Sequence, residues 1–371
     1  MKLQFTKYFI IVLLFSTFTA YAQKSEVSLD KKIGQMILVG FRGLTADDSS
    51  QIIRDIKKYH IGSIILFDYD VELKSPVRNI QSPKQVKLLV EKLQGSTETP
   101  LFITIDQEGG KVNRFKEKYG FPPTVSAQYL GKVGNFDTTA KYALKIAKSL
   151  KSAGVNLDFA PCVDVNSNPE NPVIGKIERS FSADPMIVSK HAEVFLNAFK
   201  RHKVFGTLKH FPGHGSSKAD SHLGFVDVSD TWKYDELIPY AELIRKKKCD
   251  FIMTAHIFNS KLDDKLPATL SKKILTGILR DSLNFKGVIF SDDMQMKAIA
   301  DHYGLETAVE NAINAGVDII TFANNVTFDP DIVPKVTNII KRLVDEGKIP
   351  VSRIDESYNR IMAVKKKLDK K

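Results

Sequence analysis

The chain has 371 residues, 43% hydrophobic and 26% charged, with a formal net charge of +11 at pH 7. Such a composition excludes disordered and fibrous proteins, and the length fits one large α/β domain or two smaller ones. The surplus charge is dispersed, densest at 246–248 and 365–371; with no nucleic-acid module beside it, a solvated basic surface is expected and no nucleic-acid partner.

Residues 1–22 read as a secretory signal peptide. Lys2 and Lys7 give a positive start before an apolar stretch over 9–18, and Ala20-Tyr21-Ala22 supplies small residues before a cleavage point at Gln23. The stretch is too short to span a bilayer, and no Cys follows it to carry a lipid anchor. Residues 23–371 are therefore expected to form a single soluble domain, periplasmic or secreted, monomeric and without stable membrane insertion.

From there, short apolar runs alternate with amphipathic stretches eight times. The runs lie at 36–39, 61–67, 101–105, 156–160, 204–208, 251–254, 287–290 and 317–322. Helical patterns follow at 50–58, 82–93, 138–153, 186–201, 234–247, 271–283, 305–315 and 331–346, with a last helix expected over 353–371. Ser271 is placed to cap one helix and Gly316 to stop another. Continuous apolar runs imply strands covered on both faces, as in a parallel sheet. Eight such units predict an α/β fold of the (β/α)8 TIM-barrel type, in one domain. An open doubly wound sheet would want a glycine-rich phosphate turn after the first strand, and Gly40-Phe41-Arg42-Gly43 is a poor one. Cys162 and Cys249 fall at opposite ends of such a barrel, so two free thiols are expected.

In a barrel the C-terminal strand ends share one mouth. Asp106, Asp164, Lys209-His210, His256, Asp292-Asp293 and Asn324-Asn325 follow successive strands from the third to the eighth. An ionised aspartate at the mouth can attack an electrophilic carbon or stabilise a cation; capping of the next helix is the plainer role, and the stronger expectation for Asp293. Lys209 to Asp227 is read as a loop, broken by Pro212, Gly213, Gly215 and Gly224. Within it, Asp220-Ser221-His222 can form a pair in which the carboxylate orients and charges the imidazole, making His222 a proton donor. A solvent-exposed histidine without a task is the alternative. His210 and His214 have metal-pair spacing, but Pro212 and Gly213 break the helix that would align them, so neither metal nor cofactor is expected. Asp106-Gln107-Glu108-Gly109-Gly110 with Arg114 could clamp hydroxyl groups, or form a cap and a turn.

Lys209-His210-Phe211-Pro212-Gly213-His214-Gly215 followed by Asp220-Ser221-His222 resembles the signature of bacterial glycoside hydrolase family 3 β-N-acetylglucosaminidases. Supporting matches run in family order through Asp106-Gln107-Glu108-Gly109-Gly110, Asn156-Leu157-Asp158-Phe159-Ala160-Pro161, Arg179-Ser180-Phe181, Met253-Thr254-Ala255-His256, Pro267-Ala268-Thr269-Leu270-Ser271 and Ser291-Asp292-Asp293-Met294. The resemblance spans about residues 30–370. It implies a retaining hydrolase releasing terminal β-linked N-acetylglucosamine, with Asp292 as nucleophile and His222, paired with Asp220, as acid/base. It also implies that Asp106, Arg114, Arg179, Lys209 and His210 hold the sugar; His256 joins this candidate set. Gly213, Gly215 and Gly224 are the expected hinges of the loop. A GlcNAc-containing oligosaccharide or muropeptide is the expected substrate, from wall fragments, chitin oligomers or other glycans. The export signal sets this chain apart from cytoplasmic muropeptide-recycling members, and its length from two-domain β-glucosidases. A GlcNAc phosphorylase, a metal-dependent hydrolase and a non-catalytic sugar-binding protein are the competing readings.

Overall fold

A computed structural model describes residues 27–368; the expected signal peptide lies outside them. Eight parallel strands close a barrel in chain order. They are β1 (Ile37–Gly40), β2 (Ser63–Ile65), β3 (Phe102–Ile105), β4 (Leu157–Asp158), β5 (Phe205–Phe211), β6 (Phe251–Thr254), β7 (Val288–Asp293) and β8 (Ile319–Phe322). The ring is sealed where β1 lies along β8, with Ile37 opposite Ile320 and Leu38 opposite Thr321. Every residue of β1, β3, β6 and β8 is buried, which is why these runs show no alternation in sequence. Inside the barrel, Phe102, Phe205 and Phe290 pack around Phe251 at centroid distances of 5.2, 5.4 and 5.6 Å, and Phe159 meets Phe290 at 5.2 Å. Aromatic edges and faces thus fill the space that larger barrels leave to water.

Several helices start where a side chain can satisfy free N–H groups. Ser82 caps Pro83–Gln94, Asn135 caps Phe136–Ala153 and Asp184 caps Pro185–Arg201, each through its side-chain oxygen. Ser271 Oγ accepts from Ile274 N–H at 3.1 Å, as its position suggested, although the helix Lys273–Ser282 is wound as a π-helix. Gly316, with φ of 124°, stops Leu305–Ala315. The last helix runs Val351–Lys365. Three helices of 7 residues, Leu29–Gln35, Ala127–Val133 and Lys297–Tyr303, are too short to have announced themselves by periodicity.

Two strands run further than expected. β5 continues through Phe211, so Lys209 and His210 are strand residues, not loop residues; a register shift against β6 between Leu208 and Phe211 accommodates them. The breakers that suggested a loop begin only at Pro212. Likewise β7 includes Asp292 and Asp293. Cys162 lies beyond the end of β4 and Cys249 before the start of β6, and both are free thiols.

Candidate active site

A cavity of about 490 Å³ opens at the C-terminal end of the strands. Ile65, Phe159, Met253 and Thr321 reach it from the ends of β2, β4, β6 and β8, the four-fold layer that alternate strands of a barrel supply. The intervening strands β3, β5 and β7 deliver Asp106, Lys209 with His210, and Asp292 with Asp293. Arg114, Arg179, Asp220 and His222 complete the expected set from loops. Of the residues singled out from sequence, His256, Asp164, His214 and Asn324 are not among those lining the cavity.

Lys209 is the hub of one wall. Its Nζ bonds Asp106 Oδ1 and Glu108 Oε1, both at 2.7 Å, and it is almost wholly buried. Burial alone would lower its pKa, but the two carboxylates hold it above the ordinary lysine value. Glu108 also receives Arg179 in a fork, Nε to Oε2 at 2.9 Å and Nη2 to Oε1 at 2.7 Å. Burial opposes ionisation of Glu108, yet Arg179 and Lys209 bring its carboxyl down to about 2. Asp106 is held low by Lys209 and Arg114 against the same burial penalty. Arg114 is more loosely tied, 3.6 Å from Asp106 and 4.0 Å from Asp68, and is partly exposed. Asp106 and Arg114 are therefore the members of this wall with hydrogen-bonding capacity to spare for hydroxyl groups.

His210 is spoken for on both sides. Its Nδ1 lies 2.7 Å from Asp164 Oδ2, and Arg179 Nη2 lies 3.1 Å from Nε2. A guanidinium only donates, so Nε2 accepts and the proton sits on Nδ1. His210 thus orients Arg179 at the cavity wall. Cys162, Asp164 and His210 bring their ligand atoms within 4.8 Å of one another, the spacing of a metal cluster. Asp164, however, already accepts from the Cys162 thiol, from the His210 ring and from the His210 and His214 N–H groups. The set is satisfied as a hydrogen-bonded cluster. His214 does not converge with His210 on a common point: its ring nitrogens meet Ser217 and Ser221, and burial lowers it to about 4.

Opposite stands Asp292. Its Oδ1 accepts the Asp293 N–H at 2.8 Å and its own N–H meets Thr254 Oγ1 at 3.3 Å. Burial resists ionisation, but His256, His210 and His222 around it keep the carboxyl below the usual aspartate value. His256 is a correction to the sugar-holding set. It is buried behind β7, with Nδ1 2.8 Å from Thr269 Oγ1 and Nε2 2.9 Å from the Asp293 carbonyl oxygen. It bears on Asp292 from the protein side. Asp293 is a second correction, since the following helix starts only at Lys297. Its Oδ1 accepts from Gln295 and Ala323 N–H groups, tying β7 to β8, and burial pushes its carboxyl up to about 6.

The Asp220–His222 pair forms as expected. Asp220 Oδ1 accepts both the His222 N–H and, at 2.8 Å, its Nδ1–H, leaving Nε2 to carry a transferable proton. Burial would lower the imidazole, but the Asp220 hydrogen bond and the Asp292 charge raise it above 6.5. Two of the glycines expected as hinges are closely packed. A Cβ on Gly213 would lie 2.5 Å from Glu236 Cβ, and one on Gly215 would lie 1.7 Å from the Val165 carbonyl oxygen. These two glycines serve close packing, whereas Gly224 has nothing within 4 Å. Glu236 is not marked out by the sequence, and Glu108 and Asp164 enter it only as members of the 106–110 motif and of the strand-end set. Glu108 and Asp164 sit in or beside strand-end motifs, which was the available signal.

A barrel mouth holding a buried ionised aspartate, a histidine–carboxylate pair and a wall of charged hydrogen-bonding groups has the layout of a glycoside-cleaving enzyme. Comparison with known proteins makes the class specific. Residues 28–364 match the glycosyl hydrolase family 3 N-terminal domain, and the chain belongs to that family. It is 33% identical over 392 residues to beta-hexosaminidase A of Pseudoalteromonas piscicida, covering 94% of this chain and 63% of that one. Beta-hexosaminidase LpqI of Mycobacterium tuberculosis is 31% identical, covering 90% and 82% respectively. A glycoside hydrolase family 3 beta-N-acetylglucosaminidase structure from Paenibacillus sp. str. FPU-7 superposes with a TM-score of 0.84 at 34% identity, covering 92% of this chain and 63% of the other. The chain thus spans under two thirds of the length of two of these relatives.

Proposed function

We propose that this protein is a retaining exo-β-N-acetylglucosaminidase. The observation that carries the reading is that Asp292, whose ionised form is favoured though buried, and His222, whose protonated form Asp220 favours, line one cavity. Asp292 attacks the anomeric carbon while His222 Nε2–H protonates the departing oxygen, giving a covalent glycosyl-enzyme. Water, deprotonated by the same imidazole, then releases the sugar with net retention. The layer of Ile65, Phe159, Met253 and Thr321 lies between the cavity and the packed barrel interior, which favours a single terminal sugar over a threaded chain. Asp106 and Arg114 supply hydroxyl contacts, backed by Lys209, Glu108 and Arg179. The similarity to the beta-N-acetylglucosaminidase structure from Paenibacillus sp. str. FPU-7 supports the choice of sugar, and the hexosaminidase relatives agree with it. The residue pattern at 1–22 supports action outside the cytoplasm, on wall fragments or other GlcNAc-terminated glycans.

The test is release of p-nitrophenol from p-nitrophenyl β-N-acetylglucosaminide by purified protein, with the product anomer followed by NMR. Turnover without added metal and a β-configured first product are expected. An α-configured first product, or activity that chelator abolishes and zinc restores, would overturn the mechanism.

A further inference from the structure

The segment between β5 and His222 has two physically different parts. Residues 211–217 are buried, whereas Lys218, Ala219, His222 and Leu223 are exposed. In the buried part, two consecutive N–H groups are gripped by carboxylates from different elements. His214 N–H donates to Asp164 Oδ1 at 2.8 Å, and Gly215 N–H to Glu236 Oε2 at 2.9 Å. Asp164 also holds His210, so its presence is accounted for. Glu236 is not explained in that way. It lies in the 3-10 turn Tyr234–Leu237 and is 2% exposed. Burying a carboxyl costs stability unless its oxygens are met, and here Gly215 N–H and the Ser216 hydroxyl meet them. Its side chain fills the space that Gly213 leaves vacant.

We infer that Glu236 is a positioning residue for the acid/base arm, fixing the buried root at Gly213–Gly215 so that the exposed arm delivers His222 to the leaving-group oxygen. This rests on the reading of His222 as proton donor. The groups facing the Glu236 carboxyl are Asp164 from beyond β4, Gly215 and Ser216 from the loop, and Tyr240 from the helix Ile238–Arg245. None is a permanent cation. Burial pushes the carboxyl up to about 7; the Ser216 hydroxyl opposes this and the Asp164 charge adds to it. A carboxyl raised in the fold removes stability as pH climbs from its unfolded value, 4.5, to about 7. Glu236→Gln mimics the protonated acid, keeps an acceptor for Gly215 N–H and cannot ionise.

The experiment compares wild type, E236Q and E236A on chitobiose and on 2,4-dinitrophenyl β-N-acetylglucosaminide, reading kcat/KM, with melting temperatures from pH 4.5 to 8. E236A should lose about 20-fold or more on chitobiose but only about threefold on the dinitrophenyl glycoside, whose leaving group needs no proton. E236Q should recover most of the chitobiose rate, and its melting advantage over wild type should widen as pH rises. Should E236A fail to fold, E236D, which draws the carboxylate back from Gly215, takes its place with the same split expected. Equal losses on the two substrates, or a melting difference that is flat with pH, would overturn the assignment. If wild type cleaved neither substrate, the glycosidase reading would fall, while the melting comparison would still report whether this carboxyl titrates beneath the loop.

Discussion

Asp292 and His222 owe their opposite protonation states to their neighbours. Asp292 is ringed by imidazoles and depressed below 3.8, whereas His222 leans on Asp220 and is raised above 6.5. The competent form for bond cleavage, carboxylate with imidazolium, therefore persists between those limits. The profile of kcat/KM against pH should climb on a limb below 3.8 and fall on one above 6.5. Asp220→Asn removes the charge that holds the imidazole proton, so the falling limb should move to lower pH, which a pH–rate series would reveal. Asp292→Asn should cut kcat by about 10³-fold or more, because an amide neither attacks nor carries charge. His222→Ala should cut kcat/KM by about 10²-fold or more on chitobiose and far less on the dinitrophenyl glycoside.

At the scale of single elements, the loop after β5 shows what glycines can and cannot say. Gly215→Ala would press a methyl into the Val165 carbonyl and should cost about 1–3 kcal/mol or more, whereas Gly224→Ala should stay within about 0.5 kcal/mol; urea unfolding separates the two. Sequence alone marks both as permissive backbone, since a glycine reads the same whether it bends or makes room for a neighbour. For the same reason the end of β5 was misplaced: charged residues beside Pro212 resemble a loop until a barrel wall is seen to need them. The eight strands were legible because double burial leaves continuous apolar runs, and the Asp220–His222 pair because its two members are neighbours in the chain. His256 was misassigned because a strand-end position does not tell which way a side chain faces. The Glu108–Lys209–Arg179 wall pairs Glu108 with Arg179, 71 positions away in the chain, a distance over which spacing carries no signal.

Over the whole molecule, one buried charge closes the structure. Asp318, immediately before β8, accepts from Arg280 at 2.6 Å, from Arg353 and Arg360 at 3.1 Å, from Ser357 at 2.9 Å and from the Ile289 N–H at 2.9 Å. The helix Val351–Lys365 is also tied to the first helix, with Lys32 2.7 Å from Asp355 and Lys365 Nζ 2.7 Å from Gln35. Asp318→Ala would strand three guanidinium groups, two of them little exposed, and should destabilise the fold by about 3–5 kcal/mol. Burial opposes ionisation of Asp318, but the arginines depress its pKa below 3.8, so its contribution is complete above that value and fades as pH falls through the folded one. The stability gap between wild type and this variant should accordingly narrow in acid denaturation. Arg353 lies 35 positions after Asp318, so a nascent chain makes its final strand well before two of the three counter-charges exist. The ring can form before then but cannot be locked, and a ribosome must pass Arg360 before the molecule it is making becomes hard to open.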